Sequence, residues 1–396
     1  MRLRVIAAVL VLAATVVAAA PPPGAGHPPA AAAEFTQAAL ALFAVGACGE
    51  ASAPAAVPAT YLTKHCTIVN RAQEDYRAAW VVKAKPFFAD KVPSTVPKKV
   101  VYPFAGGDLS TALTVYPDAD EITTLSLEPA GDPRTLEGLA VPATNGKAAR
   151  MSPALERAMQ TIRDELRFLY KVNFSNTMNM ISAMRSGALP TQLVFGLSAL
   201  KIHGFEIVGL RYFTLTDTGA ISYLTPASVA AAPPVTARAD SRNRVFANAE
   251  LQFKKPGGRV QIYRHIQANL DDTHTKKDPR VLAHLRSKGA VAGMTKAASY
   301  LLSWPEFSNI RSYLLENVVW MVSDATGVPP KFGKPAGFEY ETYGAFKVPH
   351  ISAGKEIAKN WRDEWDTQTR RDLRFRFGYY DGSRGHTSHL VIMRKM

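Results

Sequence analysis

Apolar and polar positions alternate along this chain with two different periods, and the order in which they follow one another predicts the elements. Lys99 to Phe104 (KVVYPF) is a short apolar run, which predicts a strand. A tight turn follows at Ala105-Gly106-Gly107-Asp108, then a short helix over Leu109 to Tyr116 ended by Pro117-Asp118, then a β-branched strand over Glu121 to Glu128. Strand, glycine turn, helix and strand make one βαβ unit, so the two strands are expected to lie parallel with a right-handed crossover.

The helical period dominates elsewhere. Val69, Ala72, Tyr76, Ala79, Trp80 and Lys83 predict an amphipathic helix over residues 68–90 that ends near Pro86 with its aromatic face on the body. Ser152-Pro153 supplies an N-cap and first turn, and Leu155, Met159, Ile162, Leu166 and Leu169 then recur at three- and four-residue steps. Leu193 to Leu200 and Glu206 to Thr216 read as two strands, or as a strand and a short helix, around Gly204. Residues 225–243 read as a mobile Pro/Ala-rich insertion, and Leu251 to Lys255 with Arg259 to Ala268 as a hairpin turning at Pro256-Gly257-Gly258. Ala292 to Tyr300 reads as a strand, and Ser308 as the cap of a helix running through Ile310, Leu314, Val318 and Met321 to Gly327. Arg374 to Tyr380 and Leu390 to Arg394 read as strands around a Gly/Ser/His loop. Alternating strands and helices imply an α/β fold, expected as a three-layer, Rossmann-like (methyltransferase-like) mixed sheet with a C-terminal β-rich extension.

The first residues change the picture. Arg2 and Arg4 precede an apolar run from Val5 to Ala20 that stops at Pro21-Pro22-Pro23, the charged and apolar regions of a signal peptide, with Val17 and Ala19 suiting its cleavage. Residues 1–20 are therefore expected as a signal peptide, 21–45 as a flexible Pro/Ala-rich leader, and 46–396 as a single α/β domain. No later run is long and apolar enough to span a bilayer, and Val45-Gly46-Ala47-Cys48 lies too far from Met1 to end a lipoprotein signal. Export leads to a periplasmic or extracellular setting, and there the two cysteines, Cys48 and Cys66, are expected to form one disulfide. The formal charge of +14 favours an anionic envelope component as partner. Nucleic acid is not expected, because no basic stripe with interleaved aromatics occurs outside the tail.

Candidate chemistry gathers at the first turn. Phe104, Gly106, Gly107 and Asp108 open a helix directly after a strand, where exposed N–H groups and the helix dipole can hold an anionic or polar ligand. Glu128 ends the next strand, where an acid can accept hydrogen bonds from ribose hydroxyls in nucleotide-binding folds. The full G-x-G-x-x-G is absent, so the cofactor is left open. The opposing reading is that Asp108 only caps its helix and Glu128 is a solvated strand end. Lys296, Ser299, Asp324 and Tyr102 are further polar candidates, each with a core or cap explanation. His350, His386 and His389 lack any metal-ligand spacing, so no metal site is expected. Gly196-Leu197-Ser198-Ala199-Leu200 misses the second glycine of a nucleophile elbow, and Gly327 to Lys334 has the wrong spacing for a phosphate loop. Trp361, Trp365 and Arg370 to Arg376 could grip an anionic polymer, although alternating Arg and Phe more simply gives one wet and one buried face.

Several separated segments occur together: Tyr102-Pro103-Phe104-x-Gly106-x-Asp108, the strand end Leu125 to Pro129, Thr295 to Leu301 (TKAASYL), Phe307-Ser308-x-Ile310-Arg311 and Asp324-x-x-Gly327-Val328-Pro329. In this order, over residues 86–350 and the Gly378-Tyr379 end, they resemble a family of exported bacterial proteins without an established activity. That resemblance implies export and one domain and supplies no catalytic residue. Gly106-Gly107-Asp108 stands here where members of the family often have Gly-Pro-Asp. The functional expectation is a ligand-binding α/β protein with its pocket at the carboxyl ends of the first parallel strands. The alternatives are a methyltransferase-like enzyme or a degenerate relative of one, and an envelope-associated structural protein.

Overall fold

The computed structural model describes residues 32–54, 57–135, 151–172, 189–346, 354–378 and 388–396. The expected signal peptide, the leader as far as residue 31, Tyr379, His350 and His386 lie outside the described residues. The chain begins with α1 (Thr36–Val45) and α2 (Ala59–Tyr76), which passes through a π-helical turn at Arg77–Val81 into α3 (Val82–Lys91). Then come β1 (Lys99–Pro103), α4 (Leu109–Val115), β2 (Glu121–Ser126), α5 (Pro153–Val172) and α6 (Thr191–Ile202). An antiparallel section follows, with β3 (Glu206–Leu215), β4 (Ile221–Tyr223), α7 (Pro226–Ala230), α8 (Ala239–Val245), β5 (Asn248–Lys254) and β6 (Val260–Gln267). The remainder is α9 (Asp272–Lys277), α10 (Arg280–Arg286), β7 (Val291–Met294), α11 (Ser308–Asn317), β8 (Val318–Ser323), α12 (Pro330–Gly333), β9 (Phe338–Gly344), α13 (Gly354–Asp366) and β10 (His389–Lys395).

All strands join one ten-stranded mixed sheet in the order β4-β3-β5-β6-β2-β1-β7-β8-β10-β9. The run β6-β2-β1-β7-β8 is parallel, with β1 in the middle. On one flank β5, β3 and β4 add antiparallel, and on the other β10 lies antiparallel to both β8 and β9. Successive side chains of β1 go to different hydrophobic clusters, as the pleat requires. Val100 and Tyr102 pack with Ala112 and Leu113 of α4, Ile162 and Leu166 of α5 and Leu193 and Leu197 of α6. Val101 packs with Leu285 of α10, Ile310 and Leu314 of α11 and Trp361 of α13. Among the described residues no helix is long and apolar enough to cross a membrane.

The βαβ unit and the hairpin stand where the periodicity put them, and several other elements differ. Residues 36–45 of the expected leader are helix α1, whose Ala39, Leu42, Phe43 and Val45 are buried; alanine-rich composition favours helix once one face finds a partner. Residues 225–243 carry two short helices, the first started by Pro226 and a capping box between Thr225 and Ser228. Leu193 to Leu200 is helical within α6, a helix apolar all round and therefore without a readable period. Val318 to Ser323 is strand β8, so the helix begun at Ser308 ends at Asn317. Only Val291–Met294 of the strand expected over Ala292 to Tyr300 is extended. Arg374 to Gly378 is not a strand: Phe375 and Phe377 enter the core, and the Trp80 indole donates to the Arg376 carbonyl at 2.7 Å. Cys48 and Cys66 form a disulfide that ties the residues after α1 to the middle of α2.

Candidate functional site

β1 and β7 end side by side at the centre of the sheet, and their ends carry a buried ion pair. Asp108 is the N-cap of α4; its carboxylate accepts from the Thr111 N–H at 3.3 Å and the Thr111 hydroxyl at 2.7 Å. Tyr102 donates to it from β1 at 3.1 Å. Lys296, just past β7, pairs with the same carboxylate and donates to the Thr111 hydroxyl at 2.9 Å. Asp108 and Lys296 are both 2% exposed. Burial pulls the Lys296 ammonium below its ordinary pKa, opposed by the Asp108 carboxylate, while burial and then Asp108 push the Tyr102 phenol up. Phe104, just after β1, and Ala297, in the turn that follows β7, adopt the left-handed region at φ 58° and 56°, strain of the kind that concentrates at functional sites.

The five residues nominated from the sequence take different places. Gly106 turns the chain at φ 52°, and its carbonyl accepts from the Gln192 amide at 2.7 Å. A Cβ on Gly107 would meet the Phe195 ring at 2.7 Å, so that face of the turn is filled by a side chain of α6. Phe104 packs edge-on against Phe307. Glu128 is fully buried rather than solvated, and its carbonyl accepts from His265 Nε2 at 2.7 Å. That bond fixes His265 as the Nε2–H tautomer, and burial lowers its pKa to about 4. Of the further candidates, Asp324 caps the backbone at Ala297 and Thr326, and the Ser299 hydroxyl receives the Lys296 N–H. Ser198 lies inside, receiving Gln73 and Tyr170 at 2.7 Å each, and Trp361 is buried against Tyr340.

Beside this pair opens a cleft of about 670 Å³ between the end of α2, its π turn, α5 and the Arg376 segment. None of the five nominated residues lines it. Such π turns recur at functional sites. Tyr76 and Trp80, four residues apart and therefore on one helix face, stack at 5.5 Å with 16° between their planes, and Tyr170 lies 4.8 Å from Tyr76. Tyr76 also reaches Ser110 and Thr111 in the first turn of α4, and burial, then Asp108, holds its phenol well above the ordinary pKa. One side chain thus separates the cleft from the Asp108–Lys296 pair. The sequence held one signal for this wall, the i, i+4 spacing of Tyr76 and Trp80; nothing in it joined α5 and Arg376 to them.

A second opening of about 730 Å³ lies past β6, where the His274 ring hydrogen-bonds to Asp271 and Arg280 pairs with Asp278. Among the described residues no group of three or more His, Cys, Asp or Glu could hold a metal ion. Compared with protein-family models, curated proteins and solved structures, the chain matches none.

Proposed function

We propose that the protein is an exported ligand-binding α/β protein, and that it holds a small molecule in the cleft between α2 and α5 instead of a nucleotide on the turn between β1 and α4. The disulfide supports export, since such bonds persist in oxidising compartments. Strand order supports a three-layer, Rossmann-like, methyltransferase-like frame. Numbered by order in the parallel core, β6-β2-β1-β7-β8 reads 3-2-1-4-5, with antiparallel β10 wedged between β8 and β9. In such sheets the ligand crevice lies outside the strand ends where the order reverses, here between β1 and β7.

The observation that carries the proposal is what stands in that crevice. In the dinucleotide fingerprint the second glycine admits the pyrophosphate. The corresponding position in Gly106-Gly107-Asp108 is an acid, which repels phosphate, and its carboxylate is committed to Lys296, Thr111 and Tyr102. Phe195 fills the other side of the turn. The open volume lies one residue away, across Tyr76, and is of the size that small-molecule sites use.

Isothermal titration of the disulfide-bonded protein with S-adenosylmethionine and with NAD tests this. Heats indistinguishable from dilution are expected. A stoichiometric complex lost in Glu128→Gln overturns the proposal in favour of the methyltransferase-like enzyme.

A further inference from the structure

Positive charge gathers at the amino ends of the central strands. Register sets these ends beside one another: Lys99 of β1 lies next to Glu121 of β2, Glu121 next to Ile262 of β6, and Val260 of β6 next to Lys254 of β5. Lys98, just before β1, and Lys255, just after β5, therefore stand at the same end of the sheet, opposite the end that carries Asp108. Lys85 of α3 links them. It lines, with Lys98, a groove of about 230 Å³. Its charge also reaches Lys255, whose ammonium is held below its ordinary pKa by burial and then by Lys85. The Lys255 ammonium donates to the His203 carbonyl and stands 4.3 Å from the centre of the Phe205 ring.

These charges are exposed, and among the described residues no acid forms a salt bridge with Lys85, Lys98 or Lys255. Asp118 also lines the groove without pairing with either of its lysines. The neighbouring cations are matched, Arg259 by Asp120 and Lys254 by Glu206 at 3.9 Å. Apolar surface lies among the three lysines. Val92, Val96 and Pro97 form a half-buried lip of the groove, and Val260 is 47% exposed at the start of β6. Cations interleaved with exposed apolar side chains complement a layer of phosphates above hydrocarbon, because the ammonium groups meet the phosphates while the apolar side chains leave water. A hydrated anionic polymer would engage the lysines and leave the apolar lip in water.

We propose that this end of the molecule docks on an anionic lipid surface, with Lys85, Lys98 and Lys255 on the headgroup phosphates and Val260 and the lip of the groove at the interface. The formal charge of +14 draws the whole chain toward such a surface, and the three lysines decide which end meets it. None of them lines the cleft between α2 and α5, so docking and ligand binding are separable.

Cosedimentation of the disulfide-bonded protein tests this, with vesicles of phosphatidylcholine alone and of phosphatidylcholine mixed with phosphatidylglycerol. The native protein is compared with Lys85→Gln/Lys98→Gln/Lys255→Gln and with Lys64→Gln/Lys276→Gln/Lys355→Gln, which removes the same charge from exposed positions elsewhere. A further variant, Ala79→Trp, fills the cleft from an exposed position on the π turn. The native protein binds the mixed vesicles and not phosphatidylcholine, and added salt weakens it. One lysine at an anionic surface is worth about fivefold, so the first triple variant binds about a hundredfold more weakly. The second triple variant and Ala79→Trp bind nearly as the native protein does. Failure to bind the mixed vesicles, or equal losses in the two triple variants, overturns the docking surface. Retention on dextran sulfate without vesicle binding, lost in the first triple variant, overturns the lipid in favour of an anionic polymer on the same lysines. Loss of vesicle binding in Ala79→Trp alone would put the lipid in the cleft and likewise overturn it.

Discussion

The carboxylate of Asp108 caps α4 and pairs with the ammonium of Lys296, so one buried ion pair joins the end of β1 to the end of β7. Removing one partner strands the other in an apolar interior, which costs about 3–5 kcal/mol. Lys296→Met is therefore expected to lower stability by about that amount. Asp108→Asn keeps a helix cap but strands the Lys296 ammonium, and is expected to cost a similar amount. The double variant carries no charge at either position, so neither change strands the other's partner and part of the loss is recovered, with a coupling of about 1–3 kcal/mol. Urea unfolding of the four proteins measures it. Strict additivity contradicts the pairing.

At Gly107 the prediction concerns space. An added methyl meets Phe195 at 2.7 Å, so Gly107→Ala is expected to destabilise by about 1–3 kcal/mol through overpacking. Phe195→Leu in the same chain removes much of that penalty while adding a cavity cost of its own. A neutral Gly107→Ala would mean that the turn is open, as a cofactor site requires.

The turn chemistry was legible because it is local. The glycines, the Asp108 cap three residues before Thr111 and the two flanking strands all lie close together in the chain, and the first parallel pair could be read from them. What Asp108 meets is not local: Lys296 follows β7, which neighbours β1 in the sheet but lies far along the chain, and no spacing in the chain announces it. The same limit hid the cleft, whose walls come from α2, α5 and the Arg376 segment. Elements were misread where periodicity failed, in α6, apolar on every side, and in β8, which continues directly from α11. Helix α13, with Ile357 and Trp361 buried four residues apart, and strand β9 carry periodic signals of their own.

The disulfide closes a loop with a sequence separation of 18 and ties α1 to the helix that bears Tyr76. On the loop-entropy scale its removal costs about 3 kcal/mol. Cys48→Ala with Cys66→Ala is expected to unfold at correspondingly lower urea. An unchanged midpoint would show that the crosslink contributes nothing.

Acid should weaken the fold through buried histidines. Burial lowers His65, His265 and His284 from 6.5 to about 4. The unfolded chain therefore takes up protons first, and stability present above pH 6.5 is lost as pH falls toward 4. At pH 5 the loss is about 2 kcal/mol for His265, which is fully buried. His265→Gln, which gains no charge, should have a flatter profile between about pH 7 and 5. Equal stability of the native protein at both values contradicts the account.

The central claim is where the ligand sits, and native mass spectrometry of the disulfide-bonded protein purified without denaturation tests it most directly. The native protein is expected to carry a bound mass that is absent from Ala79→Trp and kept by Glu128→Gln. A mass kept by Ala79→Trp and lost from Glu128→Gln would put the ligand on the first-strand turn and contradict the account.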